Sequence, residues 1–129
     1  MNDLLQESNK TELKSELNDK LEKEIVAFLN YREGGDFYIG VDDNGNAVGL
    51  GDVDKEYTRI TNGIRDAIMP DVTMFVRFTI QENKVVQITV NEGTNKPYYL
   101  KGKGLKPSGV YVRQGTSSAS ASPEKIRQM

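Results

Sequence analysis

Lysines and arginines crowd the C-terminal part of this sequence. From Lys84 onward the chain carries Lys84, Lys96, Lys101, Lys103, Lys106, Arg113, Lys125 and Arg127 against only Glu92 and Glu124, a surplus of six positive charges. The whole chain has a formal net charge of -2, so the first 83 residues hold the compensating acid. A mildly acidic protein can still present a basic face. Lys101, Lys103, Lys106 and Arg113 are the best binding candidates, because Lys101 to Gly109 reads as a long flexible connection able to reach along a nucleic-acid backbone. Such contacts are mostly independent of base sequence and weaken as salt rises. Tyr98, Tyr99 and Tyr111 suit stacking on exposed bases as well as they suit core packing. Beside all this stands the plain reading, that the lysines only solvate the surface.

Other chemistries are excluded by composition. The chain has no cysteine and no histidine. Disulfides, cysteine zinc sites, thiol nucleophiles, histidine ligands and Ser-His-Asp triads are therefore absent. Chemistry must rest on carboxylates, lysines, arginines, hydroxyls or backbone groups. Three motif-like stretches fail on spacing. Asp42-Asp43-Asn44-Gly45-Asn46 starts like a calcium loop, but its glycine falls too early and its twelfth position is Val53. Gly93-Thr94-Asn95-Lys96 lacks the spacing of a phosphate loop. Gly102-Lys103-Gly104 lacks the strand-turn-helix setting of a dinucleotide fingerprint.

These residues need a scaffold, and 129 residues with 36% hydrophobic content suit one domain with one core. Leu17, Leu21, Ile25, Phe28 and Leu29 predict an amphipathic helix over 16–30 with Ser15 as its cap, ended by Gly34-Gly35. Phe37 to Val41 predicts a central strand, Asp42 to Gly45 a tight turn, and Asn46 to Leu50 a returning strand. Gly40 inside that strand predicts a close approach by a helix or a ligand, with the helix favoured. Val53, Tyr57, Ile60, Ile64 and Ile68 predict a second helix over 53–68, capped by Asp52 and ended before Pro70. Thr73 to Ile80 and Val85 to Val90 alternate as half-buried antiparallel strands. Pro97 to Leu100 and Val110 to Arg113 read as short strands. Ser117 to Ser122 reads as a polar tail, and Ser122-Pro123-Glu124 as a helix start. The sum is an α+β fold with a mixed, antiparallel-rich sheet covered by two main helices. With neither a secretory signal nor a long apolar run, a soluble cytoplasmic protein with no membrane partner is the expectation.

Several segments together carry a resemblance. They are Glu7-Ser8-Asn9-Lys10-Thr11-Glu12-Leu13-Lys14, then Lys23-Glu24-Ile25-Val26-Ala27-Phe28-Leu29-Asn30, then Gly34-Gly35 through Ile39-Gly40-Val41-Asp42. Lys96-Pro97-Tyr98-Tyr99 and Gly109 to Gly115 extend it. In this order and spacing they resemble the Schlafen AlbA-like domain family, which is described as binding DNA and often stands at the N-terminus of helicase-related proteins or transcriptional regulators. The resemblance implies that residues 1–129 form the N-terminal domain of a longer protein. Relatives that cut RNA use a carboxylate cluster whose positions correspond to Glu7, Glu12 and Asp42. The chain departs from the family pattern at Tyr31-Arg32-Glu33, before the paired glycines.

Five residues apart, Glu7 and Glu12 point to opposite sides of an ideal strand, so a bulge or turn near Asn9 is needed to unite them. If Asp42 joins them, three carboxylates can hold Mg2+ or Mn2+ and activate water, with Lys14 neutralising the phosphate. Otherwise Glu7 and Glu12 are surface residues and Asp42 accepts a turn hydrogen bond. The leading expectation is a module that binds DNA or RNA, needs no cofactor, and uses Lys14, Lys101, Lys103, Lys106 and Arg113. A metal-dependent endoribonuclease and a dimerisation module remain as alternatives, the latter pairing an edge strand near Val110 across a two-fold axis.

Overall fold

The computed structural model describes residues 6–16 and 20–129. Four strands form the main sheet: β1 (Thr11–Lys14), β2 (Gly35–Ile39), β4 (Val76–Ile80) and β5 (Val86–Val90), in the order β1-β2-β5-β4. β1 runs parallel to β2, while the β2–β5 and β5–β4 pairs are antiparallel. Two short ladders accompany it: β3 (Ile68–Met69) with β6 (Tyr99–Leu100), and β7 (Tyr111–Gln114) with β8 (Ser117–Ser120). The helices are α1 (Leu21–Leu29), α2 (Val53–Ala67) and the short α3 (Pro123–Gln128). The α+β class, the antiparallel-rich mixed sheet and the two main helices agree with the sequence reading. Among the described residues, no helix is long and apolar enough to cross a membrane.

The alternation of β2 and β5 explains the layering. Phe37 and Ile39 lie in register with Ile88 and Val86, and all four are buried. They meet Ile25, Phe28 and Leu29 of α1 and Ile60 and Ile64 of α2 in one core. α1 packs against β5, β6, β7, β8 and α2, which buries Leu21 and the whole run from Ile25 to Leu29. α2 is amphipathic: Ile60 and Ile64 face the core, and the Asp52 side chain caps it by accepting from the Lys55 amide at 3.2 Å. On the other face of the sheet, Asp36 Oδ1 accepts from Thr89 Oγ1 and Gln87 Nε2.

Several local expectations are corrected. α1 begins at Leu21 with Lys20, not Ser15, at its cap position. Residues 11–14 are drawn into the parallel ladder with β2, so the chain must leave the sheet before it can coil. Leu17, assigned above to the helix stripe, lies outside the described residues. Asn46 to Leu50 forms no strand beyond the isolated Val41–Ala47 bridge. Instead the Val48 and Gly49 amides both donate to the Gly40 carbonyl, at 2.8 and 3.0 Å. Gly40 has φ +104°, which ends β2, and the nearest groups to its α-carbon face are the backbone at Lys84 and Gly49, not a helix. The Ser117–Ser120 stretch of the expected tail is β8, paired with β7.

Candidate nucleic-acid interface and the buried acidic network

Residues 101–109, expected to be flexible, form a compact hydrogen-bonded turn. The Lys103 and Gly104 amides donate to the Leu100 carbonyl at 3.0 and 2.9 Å, and the Gly109 and Val110 amides to the Lys106 carbonyl at 2.7 and 3.1 Å. The turn is tied to its base by Leu100 N to Gly109 O and to α2 by Lys101 N to Ala67 O. Its shape depends on the close contact of Gly109 with the Gly104 carbonyl, where a β-carbon has no room. Lys101, Lys103 and Lys106 are all exposed, and among the described residues none of the three forms an ion pair. A held turn presents three cations with less ordering cost on binding than a floppy loop would.

Arg113 does not belong with them. Its side chain is fully buried and turned inward, which removes it from the exposed basic set. Nη1 donates to Glu12 Oε1 at 2.9 Å, Glu24 Oε2 at 3.1 Å and Ser118 Oγ at 3.2 Å. Nη2 donates to the Ser8 carbonyl at 2.7 Å and Nε to the Asn9 carbonyl at 3.3 Å, while the guanidinium lies 4.6 Å from the Phe28 ring centroid. The cause is register: Glu12 pairs with Phe37, which puts a carboxylate on the core face of the sheet. A buried carboxylate there requires a cation. Glu24 was missed in the sequence. Its signal is weak, a charged residue one step before the apolar run of α1. Burial and the neighbouring Glu12 raise the Glu24 pKa, against the lowering effects of the Ser118 hydrogen bond and Arg113.

The expected turn near Asn9 exists: Ser8 and Thr11 bridge across Asn9-Lys10, with amide-to-carbonyl distances of 3.0 and 3.4 Å. It brings Glu7 beside Glu12. Partial burial, then the charge of Glu12, raise the Glu7 pKa, and Asp43 adds to the rise while Lys14 opposes it. Glu12 has both oxygens engaged, Oε1 with Arg113 and Oε2 with Lys14 at 3.5 Å. Lys14 is therefore only half-available to a phosphate. Asp42 Oδ1 accepts from the Asn44 and Asn46 amides at 3.0 and 2.9 Å, a turn role. The carboxylate residue that shares a surface cavity with Glu7 is Asp43, beside Gln6 and Asn44. Among the described residues, no group of three or more acidic side chains is gathered as a site for a metal ion.

One further expectation changes. Tyr98 is fully buried, with its amide donating to Asn30 Oδ1 at 2.7 Å, so its ring does not reach a base. At the strand near Val110, the Val110 amide donates to the Lys106 carbonyl, the Val110 carbonyl accepts from the Ala121 amide, and the Tyr111 carbonyl accepts from Asn30 Nδ2.

A family model described as Schlafen, AlbA_2 matches residues 7–122. The chain belongs to the Schlafen AlbA_2 family. No curated protein sequence matches it significantly. Among solved structures, the DIP2311 protein from Corynebacterium diphtheriae superposes with a TM-score of 0.59 at 19% identity over 88% of this chain. The chain spans only 22% of that protein, and the likeness is one of fold. The N-terminal domain of a Nitrosomonas europaea protein, named as related to the ATP-dependent DNA helicase RecG, gives a TM-score of 0.57 at 26% identity, over 88% of this chain and 83% of that one. The Schlafen AlbA_2 match runs from Glu7 to Ser122, so it takes in the Glu7–Glu12 pair, the lysine turn and the Arg113 network, and stops before α3.

Proposed function

We propose that this Schlafen AlbA_2 domain is a nucleic-acid-binding module that serves a regulatory chain acting on DNA, with the turn 101–109 as its contact surface. One observation carries the reading: Lys101, Lys103 and Lys106 stand exposed, with no ion-pair partner among the described residues, on a turn that the backbone holds in shape. The family's association with nucleic acid, and a structural neighbour named for a DNA helicase, support it. Lysines on a surface turn bind phosphates as point charges and read no bases. Affinity then comes chiefly from released counterions.

Fluorescence anisotropy against duplex and single-stranded oligonucleotides over a salt series tests this. Replacing all three lysines with alanine is expected to reduce the slope of log K on log salt by about 2.7 on duplex, or about 2 on single strands. Affinity at low salt should fall at least tenfold. Unchanged affinity and slope would overturn the assignment. The metal-dependent ribonuclease reading has narrower support, the pairing of Glu7 with Glu12 alone.

A further inference from the structure

A second basic feature lies at the other end of α1. A groove of about 640 Å³ opens between the residues that follow α1 and the β7–β8 hairpin. Arg32, Lys96, Arg113 and Lys125 line it, and no carboxylate does. In a chain with 19 acidic and 17 basic residues, a groove wall without a carboxylate is a local bias. Two of the four are already neutralised: Arg113 serves Glu12 and Glu24, and Lys96 pairs with Glu92. Arg32 and Lys125 are exposed and form no ion pair among the described residues. Gln114 and Ser122 add neutral hydrogen-bonding groups to the wall.

The groove is open to solvent at Arg32, Ser122 and Lys125, which suits a chain passing through better than an enclosed small molecule. A guanidinium, an ammonium and neutral donors around one space match the oxygens of a phosphate. Its position relative to the lysine turn follows from two elements. Lys23, in the first turn of α1, lines a cavity with Lys101 and Lys103 and lies 5.6 Å from the Tyr111 ring centroid. From there α1 runs to Asn30 and Arg32 and β7 runs to Arg113 and Gln114, all at the groove. Nine helical residues span about 13 Å, and four strand residues about 10 Å. At about 3.4 Å per nucleotide along one strand, that separation is roughly three to four nucleotides.

We propose that the groove bearing Arg32 and Lys125 holds a phosphate of the nucleic-acid backbone, as a second contact site about one α1 length from the lysine turn. This rests on the function proposed above and deepens it into a two-point footprint. An oligonucleotide of two residues cannot reach both points, whereas one of eight can.

The test compares the parent protein, Arg32→Ala/Lys125→Ala and the triple lysine variant with single-stranded oligonucleotides of two and eight residues over a salt series. Thermal melting checks folding, which neither exposed set of side chains supports. The double variant is expected to bind the eight-residue strand about tenfold more weakly, with its salt slope reduced by about 1.4. Combining both sets of changes should abolish measurable binding. If the triple lysine variant loses affinity and the double variant does not, the groove assignment is overturned and the proposed function stands. A parallel nuclear magnetic resonance titration with inorganic phosphate follows the Arg32, Gln114 and Lys125 amides. Shifts there in a protein that binds no oligonucleotide would overturn the backbone assignment and leave a site for free anions.

Discussion

Glu24 shows how one side chain can be set by partners far along the chain. Its carboxylate accepts from Ser118 Oγ at 2.6 Å and from Arg113 at 3.1 Å, yet burial and the charge of Glu12 leave its pKa raised. A carboxyl with a raised folded pKa binds its proton more tightly folded than unfolded. Its contribution to stability is therefore full below the ordinary carboxylate value and is lost as pH rises through the raised value. Glu24→Gln should remove that gain on acidification, flattening the parent's rise in melting temperature as pH falls from neutrality to the ordinary carboxylate value. At pH 7 its cost should be about 1 kcal/mol or less, since the Ser118 hydrogen bond can persist without a desolvated charge. Melting curves across this range check both points; a variant that keeps the parent's full acid-side gain contradicts the role given to Glu24.

Among the elements, β2 and α1 meet so closely that one position tolerates no side chain. A β-carbon on Gly35 would lie 2.5 Å from the Phe28 ring and 2.8 Å from the Lys10 carbonyl. Neither neighbour can withdraw, because Phe28 is fully buried and the Lys10 carbonyl accepts from the Asp36 amide at 2.8 Å. Gly35→Ala should cost about 1–3 kcal/mol through overpacking, read as a lower midpoint in urea at an unchanged slope. Elements with a strong pattern of their own were legible in the sequence. The Ile60 and Ile64 spacing gave α2 with its Asp52 cap, and alternation gave the β4–β5 pair, although β4 begins at Val76 and not Thr73. β1 and β8 were not legible as strands. TELK and SSAS carry little strand propensity, and each exists because a neighbouring strand supplies its ladder.

For the molecule as a whole, Arg113 is the joint. It ties the Ser8–Asn9 turn, β1, α1 and the β7–β8 hairpin together through five donated hydrogen bonds. Arg113→Ala would leave the buried Glu12 with Lys14 alone and the half-buried Glu24 without its guanidinium partner, and should cost about 3–5 kcal/mol. Arg113→Lys should recover only part of this, because a single ammonium cannot reproduce the planar fork. Equilibrium denaturation of both variants decides; a loss under about 1 kcal/mol for the alanine variant would contradict the joint. Composition alone excluded thiol and imidazole chemistry, and local periodicity set the α+β class, because helix and strand patterns depend on near neighbours. Spacing also required the turn at Asn9 if Glu7 and Glu12 were to meet. Only the tertiary structure decided which charges face solvent. Register put Glu12 inside, that buried carboxylate drew Arg113 inward, and the turn hydrogen bonds engaged Asp42. Lys101, Lys103 and Lys106 stayed outside, in no ion pair among the described residues, and the chain reversal at β7–β8 set Lys125 and Arg32 around one groove, a neighbourhood that no spacing along the sequence contains.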